Sequence, residues 1–138
     1  MSSVLAFLHR AGAFLLALMG GWDGTLRLLL VMMALDYLSG LVAACLGRSP
    51  HTLSGCIDSR AGLTGLLRKG LILMVLAVAA QIDTTIDGTF VRAATAWFYI
   101  VNEGISVLEN AAIAGLPLPG RLLEMLGRSK RRAGQTPL

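Results

Sequence analysis

Charge is scarce in this sequence. Of its 138 residues only 14% are Asp, Glu, Lys or Arg, where soluble domains carry about 25%. That is too little to cover a water-facing surface, which excludes an ordinary soluble domain. Histidine and cysteine are as sparse. His9 and His51 lie far apart in unlike contexts, and Cys45 and Cys56 form neither a disulfide framework nor a zinc-spaced cluster. No nucleophile elbow and no phosphate-cradling glycine loop is present. Glu103 and Glu109 stand six apart, on adjacent rather than identical helix faces. Nothing here argues for an enzyme, a metal or a cofactor.

The net charge of +4 is also unevenly placed. Much of it sits in GRSKRR (127–132), with Arg128, Lys130, Arg131 and Arg132, and around Arg60, Arg68 and Lys69. A nucleic-acid surface would want a basic face on a soluble fold. Basic clusters beside apolar runs instead meet anionic lipid headgroups and set topology.

What is abundant is apolar sequence. Hydrophobic residues make up 55% of the chain, the mean hydropathy is +0.71, and the apolar residues are blocked in runs such as 28–35 and 71–80. The expected fold is an all-α integral membrane protein with three transmembrane helices and an N-terminal amphipathic helix. The clearest span is 28–46, whose length of roughly 28 Å nearly matches a ~30 Å hydrocarbon core. A second runs from about Leu63 or Leu66 to Ile82, with Arg68 and Lys69 snorkelling to the interface from its first turns. The third is 93–116, closed by Pro117 and Pro119. The organisation reads as an interfacial helix over 1–25, a transmembrane domain over 26–120 and a basic tail over 121–138. The positive-inside rule puts the 47–69 loop and the tail in the cytoplasm and the acidic turn near Asp83 and Asp87 outside. Segment 2–22 has a small or polar stripe (Ser2, Ala6, Arg10, Ala13, Ala17, Gly20) opposite Leu5, Leu8, Leu15 and Leu18. That pattern suits a helix lying in the interface or packing by its small face on a neighbouring helix; a fourth span and a signal peptide are the alternatives.

Against this background FYIVNEGISVLEN (98–110) is out of place. Each ionised residue at mid-span costs roughly 2.5–3.5 kcal/mol on insertion scales. Asp36, Glu103 and Glu109 must therefore be neutralised, paired, or turned toward protein or water. Asn102, Ser106 and Glu109 recur at i, i+4, i+7, and Glu103, Ser106 and Asn110 at i, i+3, i+7, along one broad stripe. Asp36 is aligned with Gly40, Ala43 and Gly47, small residues that admit a second helix closely. The expectation is a polar seam of Asp36, Asn102, Glu103, Ser106, Glu109 and Asn110, within one chain or between copies. Hydrogen-bonded glue, a water-lined path and an ion-binding site all fit that spacing.

Three stretches together resemble a known family. ALDYLSGLVAA (34–44), GLLRKGLILMVLAVAAQID (65–83) and WFYIVNEGISVLENAAIAGLPLP (97–119) look like the phage-lysis and toxin-secretion holins, and the likeness covers roughly 26–126. Ser39 stands where that family commonly has Thr. The resemblance implies a non-enzymatic, homo-oligomeric protein of the bacterial cytoplasmic membrane. Such a protein opens a lesion through which an endolysin or a toxin leaves the cell. On that reading Glu103, Glu109 and Asn110 face the oligomer seam or lumen, with Asp36 contributing. The alternative from the residues alone is a small non-lytic membrane channel, or a scaffold or accessory subunit.

Overall fold

The computed structural model describes residues 2–48, 59–122 and 124. These residues form four long helices: α1 (Ser2–Leu18), α2 (Gly24–Cys45), α3 (Ser59–Thr85) and α4 (Phe90–Ala114). Two of them, α2 and α3, are long and apolar enough to cross a membrane. The 25-residue α4 has the length, but Arg92, Asn102, Glu103, Glu109 and Asn110 interrupt its apolar sequence. The 17 residues of α1 span about 25 Å, short of a ~30 Å core.

Sequence at the helix ends sets these boundaries. Asp23 is the N-cap of α2, its carboxylate accepting the Leu26 N–H at 2.7 Å. The start of α4 is capped from another helix. The Asp83 carboxylate near the end of α3 accepts the N–H groups of Val91 (2.9 Å) and Arg92 (2.8 Å), while Thr89 makes no side-chain cap bond. Gly115, with φ +98°, closes α4 in the left-handed conformation before the prolines are reached.

The most polar long helix is the central one. α2 packs along α4 on one side and α3 along α4 on the other, while α2 and α3 barely touch and α1 meets only part of α3. The apolar core lies toward the end carrying the α3–α4 turn. It is built from Leu26, Leu29 and Met33 of α2, Ile72 and Leu76 of α3, and Ala96 and Ile100 of α4. Most other large apolar side chains are exposed on the helix surfaces, from Val31 and Leu38 to Met74, Val78 and Phe98. In water this outward apolar surface would be unstable; in hydrocarbon it is the expected one.

Candidate functional site: a buried charge cluster between the helices

At the inner edge of the apolar core, three helices each contribute one charge. Lys69 of α3 donates through Nζ to Asp36 Oδ2 of α2 at 2.7 Å and also to Glu103 Oε2 of α4. Lys69, at 9% exposure, and Glu103, at 3%, are buried, and the Asp36 side chain is mostly covered. Asn110 Nδ2, one turn pair further along α4, donates toward Asp36 Oδ1 (3.2 Å), the Asp36 carbonyl (3.3 Å) and Ser39 Oγ (3.0 Å). The Ser39 hydroxyl in turn donates to the Asp36 carbonyl at 2.9 Å. Among the described residues no buried side-chain polar atom lacks a partner. The cluster is thus a satisfied network, the form in which buried charge stabilises a packing arrangement.

Helix spacing explains the convergence. Glu103 and Asn110 are seven apart, so both project from one stripe of α4, together with the buried Ala96. The groups lie deep: Asp36 is roughly 18 Å from the start of α2, and Glu103 roughly 20 Å from the start of α4. Small residues admit the close approach. A Cβ on Gly40 would lie 3.5 Å from Asn110 Nδ2, and one on Gly104 would lie 3.1 Å from Met32 Cε. Ala43 is buried at 1%.

The expected seam is divided. Asp36, Glu103 and Asn110 meet inside the chain. Asn102 is exposed on α4, while Ser106 and Glu109 are half-buried at its flank. Among the described residues neither Asn102 nor Glu109 has a side-chain partner. Two expectations need correction. Lys69 does not snorkel: it points inward, because two carboxylates there offset the cost of burying its ammonium. Gly47 is not a packing residue. It is exposed with nothing within 4 Å of an added Cβ, and its φ of +67° ends α2, its N–H and that of Arg48 donating to the Ala44 and Ala43 carbonyls. Arg68 is exposed on α3. Arg128, Lys130, Arg131 and Arg132 lie outside the described residues, as do His51 and Cys56.

Sequence reasoning passed over a second polar junction, at the opposite end from the tail. Arg92 at the start of α4 donates to Asp23 Oδ2 (2.6 Å), the Met19 carbonyl and the Gly21 carbonyl (3.4 Å), tying down the α1–α2 turn. That turn needs Gly20: its φ is +85°, and a Cβ there would lie 2.6 Å from Arg92 Nε. Gln81 adds a bond to the Leu18 carbonyl at 2.9 Å. The Arg92 guanidinium, and then the Leu26 N–H, hold the Asp23 carboxyl below its ordinary value. The available signal was a lone arginine following an acidic turn in an otherwise apolar hairpin. At the other end Arg48 donates to the Ala114 carbonyl at 3.0 Å, capping α4 with a cation.

This geometry is that of a small helical membrane protein whose buried charges are paired inside the chain. The bacteriophage holin family matches over residues 13–131, and the chain belongs to that family. It is 35% identical to a probable holin of Bacillus phage phi105 over 102 residues, covering 73% of this chain and 70% of that one. It is 45% identical to an uncharacterized 14.9 kDa protein of the nagH 3′ region of Clostridium perfringens, covering 78% and 77% of the two chains. An uncharacterized protein of Halalkalibacterium halodurans is 39% identical, over 79% of this chain and 80% of its own. No solved structure matches. The family is one of non-enzymatic membrane proteins.

Proposed function

We propose that the chain acts as a holin. Copies accumulate in the bacterial cytoplasmic membrane, associate with one another, and open a lesion through which an endolysin or an exported toxin leaves the cell. In this reading α4 is the third crossing, the acidic α3–α4 turn faces outside, and the loop after α2 and the basic tail face the cytoplasm. No nucleic acid is involved.

The carrying observation is the Asp36–Lys69–Glu103 cluster. It fixes α4 at the same depth as two helices of membrane-crossing length. A helix whose midpoint is bonded to the midpoints of both spans lies alongside them. Its two buried polar residues, Glu103 and Asn110, are tolerable there because they are paired inside the chain. Asp36, Lys69, Glu103 and Asn110 then act as the lock that joins the three helices into one unit for assembly.

Liposomes holding a small dye and a protein-sized dextran test the reading. Release of both by the purified protein is the expected result. The satisfied state of the cluster also favours a second reading, in which these residues only glue helices in a non-lytic channel or scaffold. Release of dye alone, or of neither, would select it.

A further inference from the structure

Three of the four buried polar residues on α3 and α4, all but Asp83, are preceded by a polar residue that has no side-chain partner among the described residues. Arg68 precedes Lys69, Asn102 precedes Glu103, and Glu109 precedes Asn110. A step of one residue turns a side chain about 100° around the helix, so the first of each pair leaves the core. Because α3 and α4 run antiparallel, the same step turns all three toward one common side of the hairpin. Arg68 and Asn102 are exposed and Glu109 is half-buried. Among the described residues none of the three has a hydrogen bond or ion pair through its side chain.

The two charges also match in depth. The Asp83 carboxylate bonded to the Arg92 N–H fixes the register of α3 against α4. From that point Arg68 lies about 22 Å down α3 and Glu109 about 26 Å down α4. Side chains lean toward the N-terminus of their own helix. Arg68 therefore leans further down and Glu109 leans back up, which closes the difference.

We infer that this face of the α3–α4 hairpin docks on the same face of a second copy, with Arg68 of each copy paired to Glu109 of the other. The inference rests on the proposed assembly in the membrane and names the residues through which copies meet. Unpaired charges at this depth are costly against lipid, and the opposite charge at the same depth on an identical chain removes the cost. A two-fold axis along the membrane normal preserves depth. It makes the interface isologous, so the Arg68–Glu109 pair forms twice, with Asn102 nearby as a hydrogen-bonding group.

The test uses full-length chains carrying Cys45→Ser and Cys56→Ser. One tagged chain has Arg68→Cys and a second, differently tagged chain has Glu109→Cys. Both are co-inserted into vesicles and treated with a short bis-maleimide. We expect a mixed cross-linked dimer, with far less product from either chain alone. In a parallel series, with the cross-linking cysteines placed on neighbouring positions of the same face, Arg68→Glu or Glu109→Arg should each lower the yield about tenfold, a change of about 1.4 kcal/mol. The double swap Arg68→Glu with Glu109→Arg should restore it. Absence of the mixed dimer overturns the inference, as does a double-cysteine chain that cross-links only within itself. So does a mixed dimer that forms only with anionic lipid and not with zwitterionic lipid, since that would make net headgroup charge, not Glu109, the partner Arg68 requires. Dye and dextran release by the unsubstituted protein is read separately. Leakage without the mixed dimer leaves the holin reading standing and removes only this interface.

Discussion

Lys69 is one ammonium set between two carboxylates, so its removal is more damaging than its own bonds would imply. Lys69→Met leaves Asp36 and Glu103 facing each other in the bundle interior. Breaking a buried ion pair from one side costs about 3–5 kcal/mol, and that loss is expected in the denaturation of the detergent-solubilised protein. Neutralising all three positions together, as Lys69→Met with Asp36→Asn and Glu103→Gln, should restore most of the stability. The penalty comes from unmatched charge, not from lost volume. Asp23 answers to pH instead. Its folded carboxyl titrates below the ordinary 3.8 because Arg92 and the Leu26 N–H favour the charged form. The stabilisation it gives is therefore fully present above about pH 3.8 and is lost as pH falls through the lower, folded value. The contribution is modest, since the Asp23 side chain is 43% exposed and solvent screens the pair. Hydrogen-exchange protection of the Leu26 N–H should be level above that range and fall below it. Asp23→Asn should remove the dependence.

Among the elements, α4 depends most on its neighbours. Its N-terminus is capped by Asp83 of α3, its C-terminus by Arg48 beyond α2, and its middle is bonded to Lys69 and Asp36. Asp83→Ala orphans two part-buried N–H groups, and loss of such a cap costs about 1–2 kcal/mol. The expected readout is fraying of residues 90–93 in hydrogen exchange while α2 and α4 stay packed together. An Asp83→Asn variant, which keeps an acceptor oxygen, should lose less. α1 stands at the other extreme. Val4, Leu5, Phe7, Leu8, Phe14 and Leu15 are exposed, and its tie to the bundle runs through Leu16, Met19 and the Gln81–Leu18 bond.

For the whole molecule, that loose attachment makes α1 separable. Removing residues 2–14 should leave the α2–α4 packing and the Lys69 cluster intact, with denaturation shifted by less than about 1 kcal/mol, within the range of surface changes. A larger shift would mean that α1 packs on the bundle more closely than its exposed face allows. The folded unit is thus α2, α3 and α4, held by an apolar core toward the turn end and by charge at the middle. Among the described residues, Arg68, Asn102 and Glu109 form a polar face that is left unpaired.

How much of this was legible in the sequence follows from what each feature depends on. Membrane class, helix positions and the need to neutralise Asp36, Glu103 and Glu109 depend on local composition and on the cost of charge in hydrocarbon, so the sequence by itself determined them. Expected spans of 28–46 and 93–116 became helices over Gly24–Cys45 and Phe90–Ala114, shifted because caps at Asp23, Asp83 and Gly115 set the ends. Helical periodicity could list the polar stripe on α4 but not divide it. Neighbouring positions such as Asn102 and Glu103 differ by only about 100°, and which of them is buried depends on where α3 lies. Only the tertiary structure decided that Lys69 turns inward, that Glu103 and Asn110 are satisfied within the chain, and that Glu109 finds no partner among the described residues. The reason is physical: pairing of charge is set by distances between helices, and those distances are set by side chains far apart in the sequence.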